Sequence, residues 1–405
     1  MTDIRKTLCM TLESPYYDHA YEKALSEDAL PEWLTEEYVC ALADEFGILR
    51  GTRDVALQVL PHVVCVPELC LMAKTIYHIL DTRKKYSEAF TALSFPTAPE
   101  GTENAVGYDC FVVFPVLAHA KKTWDELVAR GVDKDVAADS VSWTDSFFAE
   151  ATKDCGKPCY PKGYFAAYGV GIYVDSLIVG RLRFEICEHA KATVRIFQNT
   201  KGETLPIMDN TRIHPSGHVL GTYGAEDDTF AYEADFKETD DGYEGYTVDA
   251  TTRLVVKERV KLPKNEWKQV FQPGDTVMKV HIPRGGSMTP AAVADSYARA
   301  KEIFTRCYPE YHVTSYRIGC WMLSPVLKEI LSPTSNIVAF AEDFTVFPIE
   351  NNARDAFLYV FGIKGKTIPE IDFASLPEEN SMQRGIKKKA LEGELVYQFG
   401  GYRPW

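Results

Sequence analysis

No segment of the 405-residue sequence offers the roughly 18 uninterrupted apolar residues that a membrane-crossing helix needs. The most apolar stretch, Val55–Leu80, is broken by Pro61, Pro67, Glu68 and Lys74. Met1–Met10 lacks the apolar core of an export signal, so a cytoplasmic location and no membrane partner are expected. Basic residues are outnumbered, 44 against 58 acidic, for a net charge of −14. A duplex nucleic-acid binder needs a basic face to displace counterions, so nucleic acid is not an expected partner. The densest cationic run, Lys387–Lys389, falls in a helical pattern and reads as a solvated face.

A cysteine framework is also missing. The ten cysteines are scattered, as reduced and partly buried thiols are. Cys65/Cys70 and Cys155/Cys159 lack the two-residue spacing of a zinc knuckle and a second matching pair, so no metal is expected. The glycine turn at Arg284–Met288 has neither the Gly-Lys-Ser/Thr of a Walker loop nor the spaced glycines of a dinucleotide fold.

What is present is the composition of a packed protein, 46% apolar and 25% charged, in a chain long enough for two to three domains. The first third has helical periodicity. Pro31–Phe46 carries Trp33, Leu34, Tyr38, Leu42 and Phe46 on one stripe and closes at Gly47. Leu69, Met72, Ile76 and Ile79 in Glu68–Leu80 follow the same spacing, as does Phe111–Ala129. Ser94–Gly107, rich in Pro, Gly and Thr, reads as a loop. The texture changes near residue 155. Short β-branched runs follow at Gly171–Val179, Arg181–Ile186, Thr193–Phe197, Phe230–Phe236, Tyr243–Asp249 and Thr252–Val260, with connections short enough for an antiparallel meander. The expected domains are 1–154 and 155–405.

Thr276–Ile282 predicts a strand with Met278, Val280 and Ile282 on one face and Val277, Lys279 and His281 on the other. Pro283 ends it, Arg284-Gly285-Gly286-Ser287-Met288 forms a loop, and Thr289-Pro290 reads as a helix cap and first turn. Val293, Tyr297, Ala300, Phe304 and Cys307 give the helix a buried stripe. A second strand is expected over Thr314–Leu323, a short helix to Leu331, and another strand at Asn336–Phe340. Backbone N–H groups of the loop, the helix dipole and the Arg284 fork would suit a phosphate or pyrophosphate. A tight strand-to-helix turn with no ligand uses the same residues.

Several spaced motifs resemble one family. They are Gly180-Arg181-Leu182-Arg183-Phe184-Glu185, His281-Ile282-Pro283, Asp295-Ser296, Cys320-Trp321-Met322-Leu323-Ser324-Pro325, Ser335-Asn336-Ile337 and Met382–Gly393. In this order they resemble bacterial acyltransferase-like proteins with a helical N-acyltransferase N-terminal domain and a GNAT-like C-terminal domain. The resemblance implies an α+β / α/β fold: helices first, then a mixed, mostly antiparallel sheet with a β-loop-α-β unit. It implies acyl-CoA or acetyl-CoA as co-substrate, lying between two splayed strands, Thr276–Ile282 and Thr314–Leu323. Ile282, Arg284, Gly285, Gly286, Ser287, Met288 and Asn336 are the residues it assigns to that ligand. The loop departs from the superfamily pattern Arg/Gln-x-x-Gly-x-Gly/Ala, with adjacent glycines and Met288 in place of a small residue.

Acyl transfer to an amine needs a base, donors for the thioester carbonyl and an acid for the thiolate. His281 is the candidate base; a hydrogen-bonded structural histidine is the alternative. Glu185 could itself be a base or bind the acceptor amine, or simply pair with a neighbouring arginine. Cys320 and Tyr316 are candidate acids, and each also reads as a buried side chain. His214-Pro215-Ser216-Gly217-His218 reads as a polar loop, and the aromatics of Tyr232–Tyr246 as an acceptor groove or a packing face. The expected activity is N-acyl transfer to a small-molecule or peptide amine. The alternatives are a non-catalytic CoA- or nucleotide-binding module and a cysteine hydrolase using Cys320. The hydrolase lacks a nucleophile elbow or a protease signature.

Overall fold

The structure, a computed structural model, describes residues 17–81, 98, 100–160 and 173–405. The chain forms two units. One holds the chain up to Val179 with Thr305–Tyr308, and the other holds Gly180–Phe304 with Pro309–Trp405.

The first unit is helical: α1 (Tyr17–Leu25), α2 (Glu36–Asp44), α3 (Arg53–Val64), α4 (Pro67–Leu80), α5 (Ala105–Cys110), α6 (Val113–Ala129), α7 (Lys134–Val141) and α8 (Trp143–Cys155), with strand β1 (Ser176–Val179). Leu69, Met72, Ile76 and Ile79 are fully buried on α4, which packs on α1 and α6, as their spacing predicts. The Pro31–Phe46 helix is divided. Glu32–Leu34 is a separate 3-10 turn, and Thr35 caps α2 by accepting from the Tyr38 N–H at 3.3 Å. Part of Ser94–Gly107 lies outside the described residues, but residues 105–107 begin α5 rather than continue a loop. A Cβ at Gly107 would strike the His62 carbonyl, so this glycine permits a close helix crossing instead of a turn. Of the Gly171–Val179 run, 171 and 172 lie outside the described residues.

In the second unit β2 (Leu182–Cys187), β11 (Val277–His281), β12 (Ser315–Cys320), β14 (Phe399–Pro404) and β13 (Thr345–Pro348) lie side by side in that order. Only β11 and β12 are parallel to each other. A second, antiparallel sheet contains β3 (Val194–Asn199), β4 (Thr204–Met208), β7 (Lys237–Glu238), β8 (Gly242–Val248) and β10 (Trp267–Phe271) in the order β10-β3-β4-β8-β7, with β9 (Val255–Pro263) on β8. A short ladder joins β5 (Thr211–Ile213) and β6 (Tyr232–Ala234). Val277, Phe347 and Tyr402 share a core with Val194, Ile196, Met208 and Phe271.

Helix α9 (Pro290–Cys307) has the bounds and stripe that its sequence predicts, and Val293, Tyr297, Ala300, Phe304 and Cys307 are all buried. Tyr297 meets Phe184 and Tyr316 edge-on at 5.7 and 4.7 Å between centroids, so α9 covers one face of the five strands. Ser296 fastens the start of β2 to this helix. Its Oγ accepts from the Arg181 N–H and donates to the Ala292 carbonyl, each at 2.8 Å. Gly180 turns there at φ 61°, and a Cβ would sit 2.7 Å from that Oγ.

The remaining helices are α10 (Leu327–Ile330), α11 (Asn336–Glu342), α12 (Asp355–Phe361) and α13 (Ser381–Leu391). Two expectations are corrected. The second strand stops at Cys320, and Trp321–Leu323 is a 3-10 turn capped by the Cys320 sulfur. The expected strand at Asn336–Phe340 is helix α11. Ser335 caps it, accepting from the Ile337 N–H at 3.3 Å, and a short apolar run does not itself distinguish strand from helix. The strand comes next, as β13. Of the expected solvated face only Lys388 on α13 is well exposed; Lys387 and Lys389 are largely covered and pair with Glu378, Glu329 and Glu394.

Candidate active site

Strands β11 and β12 pair through Val277–Ser315, Met278–Tyr316 and Lys279–Arg317, and there the pairing ends. Each strand continues on its outer side: β11 stays paired with β2 to His281, and β12 with β14 to Cys320. The parallel pair therefore opens into a V after Lys279 and Arg317. Beyond that point the N–H and C=O groups that each strand turns toward the gap, those of alternate residues, face no partner strand. A cavity of about 520 Å³ lies at the opening, lined by Val280, His281, Ile318, Gly319, Lys279 and Arg317 among others.

Strand parity puts Lys279 and His281 on the face opposite α9, together with Arg183 and Glu185 of β2. His281 Nε2 lies 3.1 Å from Glu185 Oε2. The hydrogen bond from His281 holds the Glu185 carboxyl down to about 2. Lys279 at 3.7 Å and Arg183 at 3.6 Å add to that effect. Burial pulls the His281 pKa below the usual histidine value, against the opposing pull of Glu185. The imidazole is thus neutral near pH 7. An ionised carboxylate only accepts, so Nε2 carries the hydrogen and Nδ1 keeps its lone pair. The sequence named His281 and Glu185 separately; the antiparallel register brings them together.

After β11 the loop is exposed from Arg284 to Ser287. Gly285 and Gly286 have φ 77° and 69°, a left-handed pair that favours glycine at both positions. Thr289 caps α9 through the Ala292 N–H at 3.3 Å, as expected. Met288 is buried and anchors the loop, which accounts for a large residue where the superfamily pattern has a small one. A Cβ on Gly286 would lie 3.4 Å from the Arg181 side chain, whose buried Nε has no hydrogen-bond partner. An anion over the loop would meet the α9 N-terminus, Arg284 and this arginine. Arg181 was visible in the sequence only as part of a strand; its place under the loop depends on the Gly180–Ser296 turn.

The other candidates stand apart from the His281–Glu185 pair. Tyr316 is buried on the α9 face, donates to the Tyr297 carbonyl at 3.3 Å, and burial raises its pKa. Burial pushes the Cys320 thiol up to about 12, and its sulfur caps the next turn, so the group stays a thiol at neutral pH. Asn336 opens α11 rather than a strand, and Ile282 follows β11 directly. His214 bonds within its own loop to Ser216, and His218 lies against Tyr397. Tyr232 and Tyr246 pack on each other at 5.2 Å. No group of three or more His, Cys, Asp or Glu side chains suited to a metal ion occurs among the described residues.

The whole chain is similar in fold to solved acyltransferases. One, in complex with decanoyl-CoA and teicoplanin, is 16% identical with a TM-score of 0.61, over 99% of this chain and 98% of that one. Another, in complex with decanoyl-CoA, matches at 16% identity and a TM-score of 0.60 with the same coverage. A third, in complex with CoA and 10C-teicoplanin, has a TM-score of 0.55 at 16% identity with the same coverage. No curated protein matches the sequence. The profile of the GNAT-like C-terminal domain matches residues 177–403, more than half of the chain, and the protein belongs to that family.

Proposed function

We propose that this protein is an acyl-CoA-dependent N-acyltransferase acting on an amine of a small molecule or peptide. The observation that carries the reading is the V between β11 and β12 with the His281–Glu185 pair at its mouth. An extended pantetheine arm carries amides that can bond the open strand edges, as an added strand would. The CoA phosphates would lie over Gly285–Ser287, near Arg284 and the orphaned Nε of Arg181. The fold match to proteins bound to decanoyl-CoA supports the same class of donor.

In the step itself the amine lone pair attacks the thioester carbonyl carbon. A C–N bond forms and the C–S bond breaks. His281 Nδ1 takes the proton that the nitrogen must lose, and Glu185 steadies the imidazolium through Nε2. The thiolate leaves and is protonated to free CoA. No acid is assigned to that proton, because Tyr316 faces α9 and the Cys320 sulfur is engaged in a cap.

The test is incubation with decanoyl-CoA and a panel of amines. Mass spectrometry of the products and titration of free thiol are the readouts. Equal amounts of amide and thiol are expected. Decanoyl-CoA binding without amide formation would identify a CoA-binding module instead, and absence of binding would remove the acyl-CoA reading.

A further inference from the structure

Arg317 has no role in the chemistry above. It stands beside Lys279 in the parallel register and lines the cavity at the V. Its guanidinium lies between two rings, 4.2 Å from the centroid of Phe271 and 4.9 Å from that of Phe347. Its Nε and Nη1 are buried and bond to nothing among the described residues. Burial brings its pKa down to about 10, which leaves it charged at neutral pH. The aromatic faces offset part of the desolvation cost, but they accept no N–H in the plane of the fork. Guanidinium nitrogens buried in this way are ordinarily paired with a carboxylate.

Nothing in the cavity wall supplies that partner. Among its lining residues Lys191, Lys279 and Arg317 are cationic, and Glu188 is the one carboxylate. Glu185, next to the wall, is already held by His281, with Lys279 and Arg183 close by. The pocket is thus locally positive in a chain of net charge −14, which favours an anionic group there over the rest of the surface. Its mouth is the His281 face of the sheet, where an acceptor amine must arrive.

We infer that the acceptor carries a carboxylate besides its reacting amine, and that Arg317, with Lys279, is the site that receives it. The inference rests on the transferase reading of the same cavity. It makes Arg317 a specificity residue, with the carboxylate anchored deep in the pocket and the amine turned back toward His281. The acceptor class is then amino acids, peptides with a free C-terminus, or amino-sugar acids.

The experiment compares matched pairs of amines with decanoyl-CoA as donor: amino acids, dipeptides and amino-sugar acids, each against its primary amide. The amide of an amino acid has the less basic amine, more of it free at neutral pH, so a preference for the acid runs against solution reactivity. The acid is expected to be used better by about tenfold or more in kcat/KM. Arg317→Met should bring that ratio close to one and leave KM for decanoyl-CoA in place. Equal use of acid and amide by the unaltered protein overturns the inference. A rise in KM for decanoyl-CoA instead would assign Arg317 to a CoA phosphate and overturn it too. If Arg317→Met does not fold, Arg317→Lys keeps the charge and should give an intermediate ratio. If no amine releases thiol, the transferase reading itself fails. Calorimetric titration of acids and amides into CoA-saturated protein then decides the carboxylate site by itself: tighter binding of the acid supports it, and equal binding rejects it.

Discussion

His281 and Glu185 behave as a pair. Burial lowers the imidazole pKa, and the hydrogen bond lowers the carboxyl pKa to about 2. The resting state near neutrality is therefore neutral imidazole against carboxylate. The base form is lost only as pH falls through the depressed pKa of His281, so kcat/KM expressed per free, unprotonated amine should stay level near pH 7 and drop on the acid side below the ordinary histidine range. Glu185→Gln removes the group that raises the His281 pKa, although Arg183 and Lys279 remain and lower it. The acid limb should then move to still lower pH, while kcat falls about 100-fold because the imidazolium loses its partner. A pH–rate profile of the two proteins checks both statements. A limb moving to higher pH would contradict this arrangement.

The element on which the site depends is the strand–loop–helix unit from β11 to α9. Ser296 ties its helix to the turn before β2 through two hydrogen bonds. Ser296→Ala leaves the Arg181 N–H without that acceptor in a buried spot, a loss of about 1–3 kcal/mol, readable as a lower Tm. Gly286→Ala asks an alanine to hold φ 69° with Arg181 3.4 Å from its Cβ. It should raise KM for acyl-CoA more than it changes Tm, because the loop is exposed. Much of this unit was legible in the sequence: the α9 stripe, the Thr289 cap, the end of the strand at Pro283 and the facing of His281 away from Met278. What sequence could not reveal was anything that depends on register. Lys279 and Arg317 become neighbours only through parallel pairing, and His281 meets Glu185 only through the antiparallel ladder with β2. Asn336–Phe340 misled because an apolar run of that length suits either period, and the Ser335 cap decided it. Strands β4 and β14 went unread because Pro206, Pro404 and the paired glycines Gly400-Gly401 mask their pattern.

At the scale of the whole molecule, the family match spans residues 177–403 and the fold match to acyltransferases spans both units. A ligand that binds only the folded chain stabilises it by mass action. Decanoyl-CoA at about 100 times its Kd should add about 2.7 kcal/mol and raise Tm by a few degrees. Differential scanning fluorimetry reads that shift, and CoA without the acyl group should give one as well. The most direct test of the account is the rate of amine-dependent thiol release from decanoyl-CoA by the unaltered protein and by His281→Ala. The account predicts steady release by the first and a fall of about 100-fold or more in kcat for the second, with acyl-CoA binding retained. Undiminished turnover by His281→Ala would contradict it.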